Sequence, residues 1–319
     1  MVAQSSNSQT DRNRIMTIFD VHILGCGSAM PTTRHNPTSQ LVDVNNKLFM
    51  IDCGEGTQQQ MRKFKTRMSK LHSIFISHLH GDHVFGLPGL LASLSLLGRK
   101  GDLNIYAHPD VELFLIPFNK LYGNRLTYKI NIIPLNQDGL QLIYETKSIR
   151  VYSFPLKHRI PTNGFLIEEK EHPRHMIGEM IQFYNIPFSQ IKDIKAGYDF
   201  VTDDGEVIQN NRLTTPAAPA RKYAYCSDTT YYPEIIPFIK DADVLYHEAT
   251  FTESDIARAK KTFHSTAKQA ASIAEQANVK KLIIGHFSSR YDDDDLLLEE
   301  AKTIFPNTEL AFEGKNIEI

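Results

Sequence analysis

The stretch His78-Leu79-His80-Gly81-Asp82-His83 places three imidazoles and one carboxylate in a single short loop. A strand-like apolar run over 71–76 leads into the loop, and a helix-like run over 89–97 follows it. Alternate residues of an extended segment face the same way, so the first two histidines can reach one metal ion together. Asp82 and His83 lie past the turn and can reach a second ion, as expected for two adjacent zinc-type ions. The alternative is a polar turn that happens to be rich in histidine.

The composition of the chain is that of an enzyme of ordinary size. Its 319 residues are 41% hydrophobic, which is enough for the core of one layered α/β unit. The net charge of −2 gives no overall attraction to nucleic acid, so an RNA partner would need a local basic patch. The cysteines, Cys26, Cys53 and Cys226, are scattered and odd in number, which fits a reducing cytosol and excludes a Cys-x-x-Cys metal site.

The N-terminal residues and the longest apolar runs bear on localisation. Residues 1–16 are polar and lack the apolar centre of a secretory signal, so we expect a disordered tail ahead of a single domain over 17–319. No apolar run approaches the roughly 20 residues that span a bilayer. These features predict a soluble cytoplasmic protein with no membrane partner.

Strand-like and helix-like patterns alternate along most of the chain, which predicts an α/β fold. Two strand-rich halves fit a sandwich of two sheets with outer helices. At about 168–215 the alternation breaks, because a charged segment is followed by a short amphipathic piece and glycine turns. We expect this segment to leave the compact fold, and a plain surface insertion is the alternative interpretation of it.

Three residues far from the loop stand where further metal ligands are needed, each at the end of an apolar strand-like run. They are His158, Asp228 and His286. Loops converge at strand ends in layered α/β proteins, so these side chains can meet the loop. The two oxygens of a carboxylate such as Asp228 can bind one ion each and so bridge two cations. Taken singly, each of the three can also be a polar residue that caps a strand.

Together these residues resemble the five-motif pattern of the metallo-β-lactamase fold. Longer segments resemble ribonuclease Z, the family that trims the 3′ end of precursor transfer RNA. The resemblance runs from about residue 17 to the C-terminus. The segments that carry it are residues 48–58, residues 76–91, His247-Glu248-Ala249-Thr250-Phe251, His264-Ser265-Thr266 and His286-Phe287-Ser288-Ser289-Arg290-Tyr291. It implies an αββα sandwich of two mixed sheets with outer helices and a protruding arm at about 168–215.

The resemblance also implies two zinc ions per subunit. The implied ligand sets are His78, His80 and His158 for one ion, Asp82, His83 and His286 for the other, and Asp228 for both. Such a pair activates water near neutral pH and neutralises charge on a phosphate. Manganese or iron would also suit these nitrogen and oxygen donors.

Other residues take supporting roles by the same resemblance. Asp82 would accept the proton of the attacking water. His264 would donate a proton to the leaving 3′ oxygen, and Glu248 would orient it. Asp52 and His247 would hold ligand histidines in place by hydrogen bonds. Without the resemblance, His264 would be interpreted as the residue before a helix and Asp52 as the cap of a strand.

RNA contacts are expected at two places. Arg34 matches a loop near the site in the family, and Ser289 and Arg290 follow His286, where a guanidinium can clamp a phosphate. Each arginine has the alternative of a plain solvent-exposed side chain. The arm would bind the transfer-RNA elbow, with Arg174, His175, Lys192 and Lys195 as its available cations. It carries Pro187-Phe188-Ser189 where the family has a Gly-Pro element, and it contains many acids, so its electrostatic grip is expected to be modest.

The leading hypothesis is therefore a zinc-dependent endoribonuclease that removes the 3′ trailer of precursor transfer RNA and leaves a 3′ hydroxyl. The resemblance implies a homodimer, in which the arm of one subunit holds RNA while the other subunit cuts, and it implies no organic cofactor. A second hypothesis is a metallo-hydrolase of a small ester, such as a sulfate ester, a cyclic nucleotide or a lactone. A third is a metal-stabilised RNA-binding scaffold, which the full set of ligands disfavours.

Overall fold

The framework of the protein is built from short strands. The computed structural model describes residues 18–122 and 125–319, so the tail expected over 1–16 lies outside the described residues. Numbered along the chain, the strands are β1 (Phe19–Gly25), β2 (Ser39–Val44), β3 (Lys47–Ile51), β4 (Leu71–Phe75), β5 (Leu103–Ala107), β6 (Ile130–Pro134), β7 (Gln141–Glu145), β8 (Ile149–Leu156), β9 (Thr162–Glu169), β10 (His175–Met176), β11 (Phe200–Val201), β12 (Val207–Ile208), β13 (Thr214–Thr215), β14 (Lys222–Cys226), β15 (Val244–Glu248), β16 (Lys281–Gly285), β17 (Thr308–Leu310) and β18 (Asn316–Glu318).

Helices alternate with these strands along the chain. They are α1 (Thr57–Lys63), α2 (Gly81–Val84), α3 (Leu87–Leu96), α4 (Val111–Tyr122), α5 (Gly178–Phe183), α6 (Phe188–Lys195), α7 (Asn210–Leu213), α8 (Ile236–Ile239), α9 (Ile256–Thr262), α10 (Ala267–Gln276) and α11 (Asp295–Lys302). A capping box starts α10: the Thr266 hydroxyl accepts from the Gln269 N–H, and the Gln269 side chain accepts from the Thr266 N–H. In the described ranges no helix has the length and apolar character needed to cross a membrane.

The strands form two large mixed sheets within the described ranges. The first has the order β18-β1-β2-β3-β4-β5-β6, and β3 to β6 in it are parallel. The second has the order β17-β16-β15-β14-β9-β8-β7, and β14 to β17 in it are parallel. The prediction of an α/β fold with two mixed sheets and helices is confirmed.

Strand β3 explains how the layers pack. Its side chains alternate between two apolar cores, as the period of a strand requires. Phe49 and Ile51 join the core that also holds residues of the second sheet, such as Phe165. Leu48 and Met50 face the core shared with α3. The first sheet is therefore buried on both faces, which fits the near-continuous apolar sequence of its parallel strands.

The chain leaves the second sheet after Glu169 and returns to it at Lys222. In between lie β10 to β13 and α5 to α7, with a small apolar core of their own made of Ile186, Ile194, Phe200, Ile208 and Leu213. The two ends of this excursion are adjacent, since the N–H of Glu169 donates to the carbonyl of Arg221 over 2.9 Å and the two side chains form an ion pair at 2.7 Å. We call residues 170–221 the arm.

Candidate active site

Parallel strands of both sheets end at the edge where the residues singled out from sequence lie. In the second sheet, Asp228, Glu248 and His286 stand at or just after the carboxyl ends of β14, β15 and β16. In the first sheet, Asp52 and His78 follow β3 and β4. Parallel neighbours bring their carboxyl ends together, so the sheet topology collects these side chains in one place.

Three of these residues have a strained backbone. Asp52, Asp228 and His286 have φ values of 58°, 58° and 61°, in the left-handed region that residues other than glycine seldom occupy. Each such residue costs on the order of 1–3 kcal/mol and persists only where the surrounding structure enforces it. Strain at three strand ends around one point marks that point as a functional site.

Glycines let the histidine-rich loop pack tightly against the end of β3. A Cβ atom on Gly86 would lie 2.0 Å from the carbonyl oxygen of Gly54, and one on Gly54 would lie 2.5 Å from the carbonyl oxygen of Asp82. The loop is fastened there by a hydrogen bond from the Cys53 N–H to the carbonyl of His83 at 2.8 Å. The close approach fixes where the loop presents its imidazoles.

The first donor cluster consists of His78, His80, His158 and one oxygen of Asp228. Nδ1 of His80 lies 3.0 Å from Nε2 of His78 and 3.3 Å from Nε2 of His158. Oδ2 of Asp228 lies 3.5 Å and 3.7 Å from the same two Nε2 atoms. Burial lowers the pKa of all three histidines, which favours the neutral imidazole that binds metals.

The second donor cluster consists of Asp82, His83, His286 and the other oxygen of Asp228. Oδ1 of Asp228 lies 3.2 Å from Nε2 of His83 and 3.0 Å from Nε2 of His286. Oδ2 of Asp82 lies 3.6 Å and 3.5 Å from these nitrogens. Both Nε2 atoms are buried and make no hydrogen bond within the part of the chain that the structure describes. Buried nitrogens without a hydrogen bond, aimed at a common point, are what the ligands of a metal site present to the ion.

The spacing of the donors fits two divalent cations. Ligands about 2.0–2.1 Å from a tetrahedral ion stand roughly 3.3 Å apart, and the separations in the two clusters run from 3.0 to 3.7 Å. Asp228 gives one oxygen to each cluster, as a bridging carboxylate would. The seven side chains that the sequence singled out as ligands are thus brought together in two sets that share Asp228.

Hydrogen bonds on the far side of the imidazoles hold the rings in place. Nδ1 of His83 lies 2.8 Å from Oδ2 of Asp52, and that carboxylate also accepts from the Tyr225 hydroxyl at 2.7 Å. Nδ1 of His158 lies 2.9 Å from the carbonyl oxygen of Phe263. Such contacts select the ring nitrogen that faces the metal. The sequence pointed to Asp52 for this role and did not point to Tyr225.

Replacing Asp52 by asparagine is expected to weaken metal binding by about 10- to 100-fold, because His83 loses the carboxylate that orients its ring. Competition of the purified protein with a metal-sensitive chelating dye measures the affinity. The matched control is Asp43→Asn, a partly exposed carboxylate on β2 that lies in neither donor cluster. Equal affinities in the wild type and Asp52→Asn would contradict the role of Asp52.

A charged pair stands beside the donor clusters. Nδ1 of His264 lies 2.8 Å from Oε1 of Glu248. The Glu248 carboxylate is fully buried; its Oε1 also accepts from the Thr229 N–H, and its Oε2 accepts from the Ser265 N–H. Burial lowers the pKa of His264, but Glu248 together with the Asp228 and Asp82 carboxylates raises the pKa to about 9. Thr250, which the sequence analysis did not single out, bonds both Glu248 and His286 through its hydroxyl.

Two predicted residues lie differently from what the sequence suggested. His247 bonds the carbonyl of Glu248 at 2.7 Å, and its Nε2 has no hydrogen-bond partner in the described ranges. Adjacent residues of β15 face opposite ways, so His247 cannot support the ligands from the side that Glu248 occupies. Arg34 donates to the carbonyls of Tyr291 and Asp292, both at 2.6 Å, so its guanidinium holds the segment after His286 rather than facing a substrate.

A cavity of about 430 Å³ opens above the donor clusters. Arg290 lines it, as expected, whereas Ser289 lies in a neighbouring hollow with Arg34. Two further arginines, Arg159 and Arg258, line the cavity and were not found from the sequence. Arg159 directly follows His158, which is a signal that sequence reasoning had available, whereas nothing in the sequence of α9 marks Arg258.

The cationic side chains expected on the arm differ in their exposure to solvent. Lys192 is exposed on α6, whereas Lys195 is half-buried. Arg174 is also half-buried, and its Nε donates to the Thr214 hydroxyl at 2.7 Å. The arm instead exposes aromatic side chains: Phe183 is 73% exposed, Phe188 89% and Tyr198 68%.

The described architecture matches solved structures. Human tRNase Z, short form, superposes with a TM-score of 0.67 at 25% identity, over 94% of this chain and 99% of its own. YhfI of Bacillus subtilis, a metallo-beta-lactamase fold protein, superposes with a TM-score of 0.67 at 20% identity, over 95% of this chain and 100% of its own. The chain thus has the metallo-β-lactamase fold.

Sequence comparisons identify the family to which the chain belongs among the proteins of this fold. A family model described as Anti-Pycsar protein Apyc1 matches residues 19–158, less than half of the chain. Ribonuclease Z of Parabacteroides distasonis is 54% identical over 304 residues, which are 95% of this chain and 100% of that protein. Ribonuclease Z of Bacteroides thetaiotaomicron is also 54% identical, over 95% of this chain and 96% of its own. The chain belongs to the ribonuclease Z family.

Proposed function

We propose that this protein is a zinc-dependent endoribonuclease that removes the 3′ trailer of precursor transfer RNA and leaves a 3′ hydroxyl on the transfer RNA. As a member of the ribonuclease Z family it is a hydrolytic endoribonuclease. The observation that carries the metal-dependent mechanism is the division of Asp228 between two donor clusters at the floor of an open cavity. The substrate is inferred from the family.

The donor clusters fit two zinc ions, with Asp228 as the shared ligand. Held there, the pair would lower the pKa of water and neutralise charge on the phosphate. Oδ2 of Asp82 accepts a hydrogen bond from the Ala29 N–H at 2.7 Å, which fixes the orientation of the carboxylate. We assign Asp82 as the acceptor of the proton from the attacking water.

His264 is placed to protonate the leaving group. It lines the cavity, and Glu248 behind it stabilises the imidazolium form through the 2.8 Å contact. The leaving group in this reaction is the 3′ oxygen of the transfer RNA, which needs a proton to become the 3′ hydroxyl. Glu248 acts as the positioning residue. The Thr250 hydroxyl contacts both Glu248 and His286 and so fixes their relative positions.

Replacing His264 by alanine is expected to lower the rate of precursor cleavage by about 10²- to 10⁴-fold, the usual contribution of a general acid. Bis(p-nitrophenyl) phosphate should be much less affected, because nitrophenolate leaves without a proton. Single-turnover rates with both substrates measure the difference. His108→Ala, which changes a partly exposed histidine that follows β5 and does not line the cavity, is the control. An equal loss of rate with both substrates would show that His264 does not protonate the leaving group.

We assign the binding of the phosphates on either side of the cut to arginines that line the cavity. Arg258 and Arg290 line the cavity with guanidinium groups that make no side-chain ion pair within the described residues. Arg159 lines it as well, with one nitrogen donating to the carbonyl of Lys261 at 3.0 Å. This local positive charge supplies the basic patch that the overall charge of −2 does not.

The arm supports binding of the body of the transfer RNA, away from the cut. Its exposed aromatic side chains offer flat apolar faces on which bases stack, worth about 1–3 kcal/mol per base. Phe188 is the most exposed of these and stands in the segment that replaces the Gly-Pro element of the family. Stacking would compensate for the few free cations of the arm.

We propose that the protein acts as a homodimer, in which the arm of one subunit serves the active site of the other. Helices α3 and α4 contact each other and expose a set of large apolar side chains: Leu96, Leu97, Leu113, Ile116 and Leu121. An apolar face of this kind on a single chain favours a subunit interface.

Replacing Leu113, which is 66% exposed, by glutamate is expected to give monomers, because the interface would bury two uncompensated charges. Size-exclusion chromatography with light scattering measures the mass, and the rate of precursor cleavage should fall with it. Leu296→Glu, at a similarly exposed leucine of α11, is the control. A dimer that survives the Leu113 change would place the interface elsewhere.

The chemistry needs only water besides the metal pair, so we propose no organic cofactor. The cysteines Cys26, Cys53 and Cys226 are free and buried, which favours a cytoplasmic location. The proposal is tested by incubating the purified protein with an unprocessed transfer-RNA transcript, with and without a chelator, and mapping the ends. A single cut at the 3′ side that leaves a 3′ hydroxyl and is abolished by the chelator is expected. Cleavage that ignores the chelator, or an intact transcript, would overturn it.

A further inference from the structure

A second group of metal-ligating side chains lies outside the catalytic cavity. It lies where the segment between β1 and β2 meets the C-terminal part of the chain. Cys26 and His35 come from that segment, and Glu313 comes from the loop between β17 and β18. Cys26 is fully buried, and the side chains of His35 and Glu313 are about nine-tenths buried.

We propose that Cys26, His35 and Glu313 form a third metal site, which binds one zinc-class ion through a thiolate, an imidazole and a carboxylate. The Cys26 Sγ lies 3.4 Å from Nδ1 of His35 and 3.8 Å from Oε1 of Glu313, and Nδ1 lies 3.1 Å from Oε2 of Glu313. Bonds of about 2.3 Å to sulfur and about 2.0–2.1 Å to nitrogen and oxygen put such donors roughly 3.4–3.6 Å apart around a tetrahedral ion. Three protein ligands leave the fourth position to water.

The groups behind the donors are those that metal ligands require. Nε2 of His35 lies 2.7 Å from Oδ2 of Asp294, so a carboxylate can take the N–H of Nε2 and leave Nδ1 with its lone pair toward the ion. Oε1 of Glu313 accepts from the Asn36 N–H at 2.8 Å, which orients the carboxylate. The donors therefore have the outer contacts of a built site.

The charge of the cluster also suits a divalent cation. In the absence of metal, burial raises the pKa of the Cys26 thiol to about 12. For His35, burial lowers the pKa, but its hydrogen bonds to Asp294, Cys26 and Glu313 raise it to about 12. Loss of these two protons on binding one divalent ion leaves the net charge unchanged, and Arg34, 3.2 Å from Oδ1 of Asp294, offsets that carboxylate.

The thiolate makes this site distinguishable from the catalytic pair, whose donors are nitrogen and oxygen alone. Among the described residues, neither Cys53 nor Cys226 belongs to a group of three metal-ligating side chains. The proposed ion would fasten the segment whose Ala29 N–H bonds Asp82, so it would stabilise the wall of the cavity rather than take part in hydrolysis.

The test removes bound metal from the full-length protein with a chelator, titrates Cd²⁺ back, and records the ultraviolet thiolate-to-cadmium charge-transfer absorbance, to which the catalytic clusters contribute nothing because they contain no sulfur. We expect a band that saturates in the wild type, persists in Cys53→Ser and Cys226→Ser, and is lost in Cys26→Ser. Elemental analysis should find about one equivalent less metal in Cys26→Ser than in the wild type. If Cys26→Ser fails to fold, Glu313→Gln, which keeps the thiol, should shift the Cd²⁺ titration to higher concentrations.

No band in the wild type, or a band that Cys26→Ser retains, would overturn the proposal and leave the cluster as a hydrogen-bonded network around a protonated His35. The band is independent of RNA cleavage, which is measured on the same samples. A protein that binds the thiolate-linked ion yet does not cut RNA would therefore contradict the proposed function and not the third site.

Discussion

Asp228→Ala is expected to lower kcat/KM for precursor transfer RNA by at least ~10³-fold, equivalent to about 4 kcal/mol of transition-state stabilisation. Among the described residues, Asp228 alone gives an oxygen to each donor cluster, so its loss removes a donor from both. The imidazoles of His83 and His286 would then face each other without the carboxylate between them. Both metal positions should weaken together.

The measurement combines single-turnover cleavage with elemental analysis of the same sample. Asp138→Ala, at an exposed aspartate between β6 and β7, is the matched control and should leave both the cleavage rate and the metal content unchanged. Thermal unfolding shows whether Asp228→Ala still folds. A folded variant with near-normal cleavage would contradict the bridging role of Asp228, and one that loses activity but keeps its full metal content would contradict the metal-binding role.

Replacing residues 172–218 by a short Gly-Ser linker is expected to reduce kcat/KM for precursor transfer RNA by at least ~10²-fold, because binding energy from a remote part of the substrate is lost. The deletion is compatible with the fold, since Glu169 and Arg221 already join the two ends of the arm. Residues lining the cavity all lie outside the deleted range. Turnover of bis(p-nitrophenyl) phosphate should therefore be retained.

The two substrates decide between the proposed endoribonuclease and a hydrolase of small esters. Retention of the small substrate with loss of transfer-RNA cleavage supports the RNA-binding arm. If both activities survive, the arm does not bind the substrate. Phe188→Ala should raise KM for precursor transfer RNA and so cause part of the loss seen with the deletion. Leu142→Ala, at an exposed residue of β7 away from the arm, should leave this KM unchanged.

The layered fold and the seven converging side chains were predictable because the signals are local. Dense ligands in residues 78–83 and polar residues directly after apolar runs, such as Asp228 and His286, are visible in the sequence. The order of the strands was not, because the pairing of β9 with β14 joins Tyr225 to Phe165 across the whole arm. Pairing at such a distance leaves no local pattern.

The sequence predicted less well the roles that depend on where a side chain points. Arg34 has the right residue type near the site, yet two backbone carbonyls hold its guanidinium away from the cavity. His247 precedes Glu248 in one strand and so faces the other way. Arg258 reaches the cavity only because of how α9 is oriented, which its own sequence does not encode. Orientation of this kind is set by tertiary packing.

The most direct test of the metal pair is anomalous scattering at the zinc edge from crystals of active protein. Two peaks are predicted at the catalytic site, separate from the one proposed at Cys26: one among Nε2 of His78, Nδ1 of His80 and Nε2 of His158, and the other among Oδ2 of Asp82 and Nε2 of His83 and His286, with the two oxygens of Asp228 between them. Fewer than two ions at these positions in cleavage-competent protein would contradict the account.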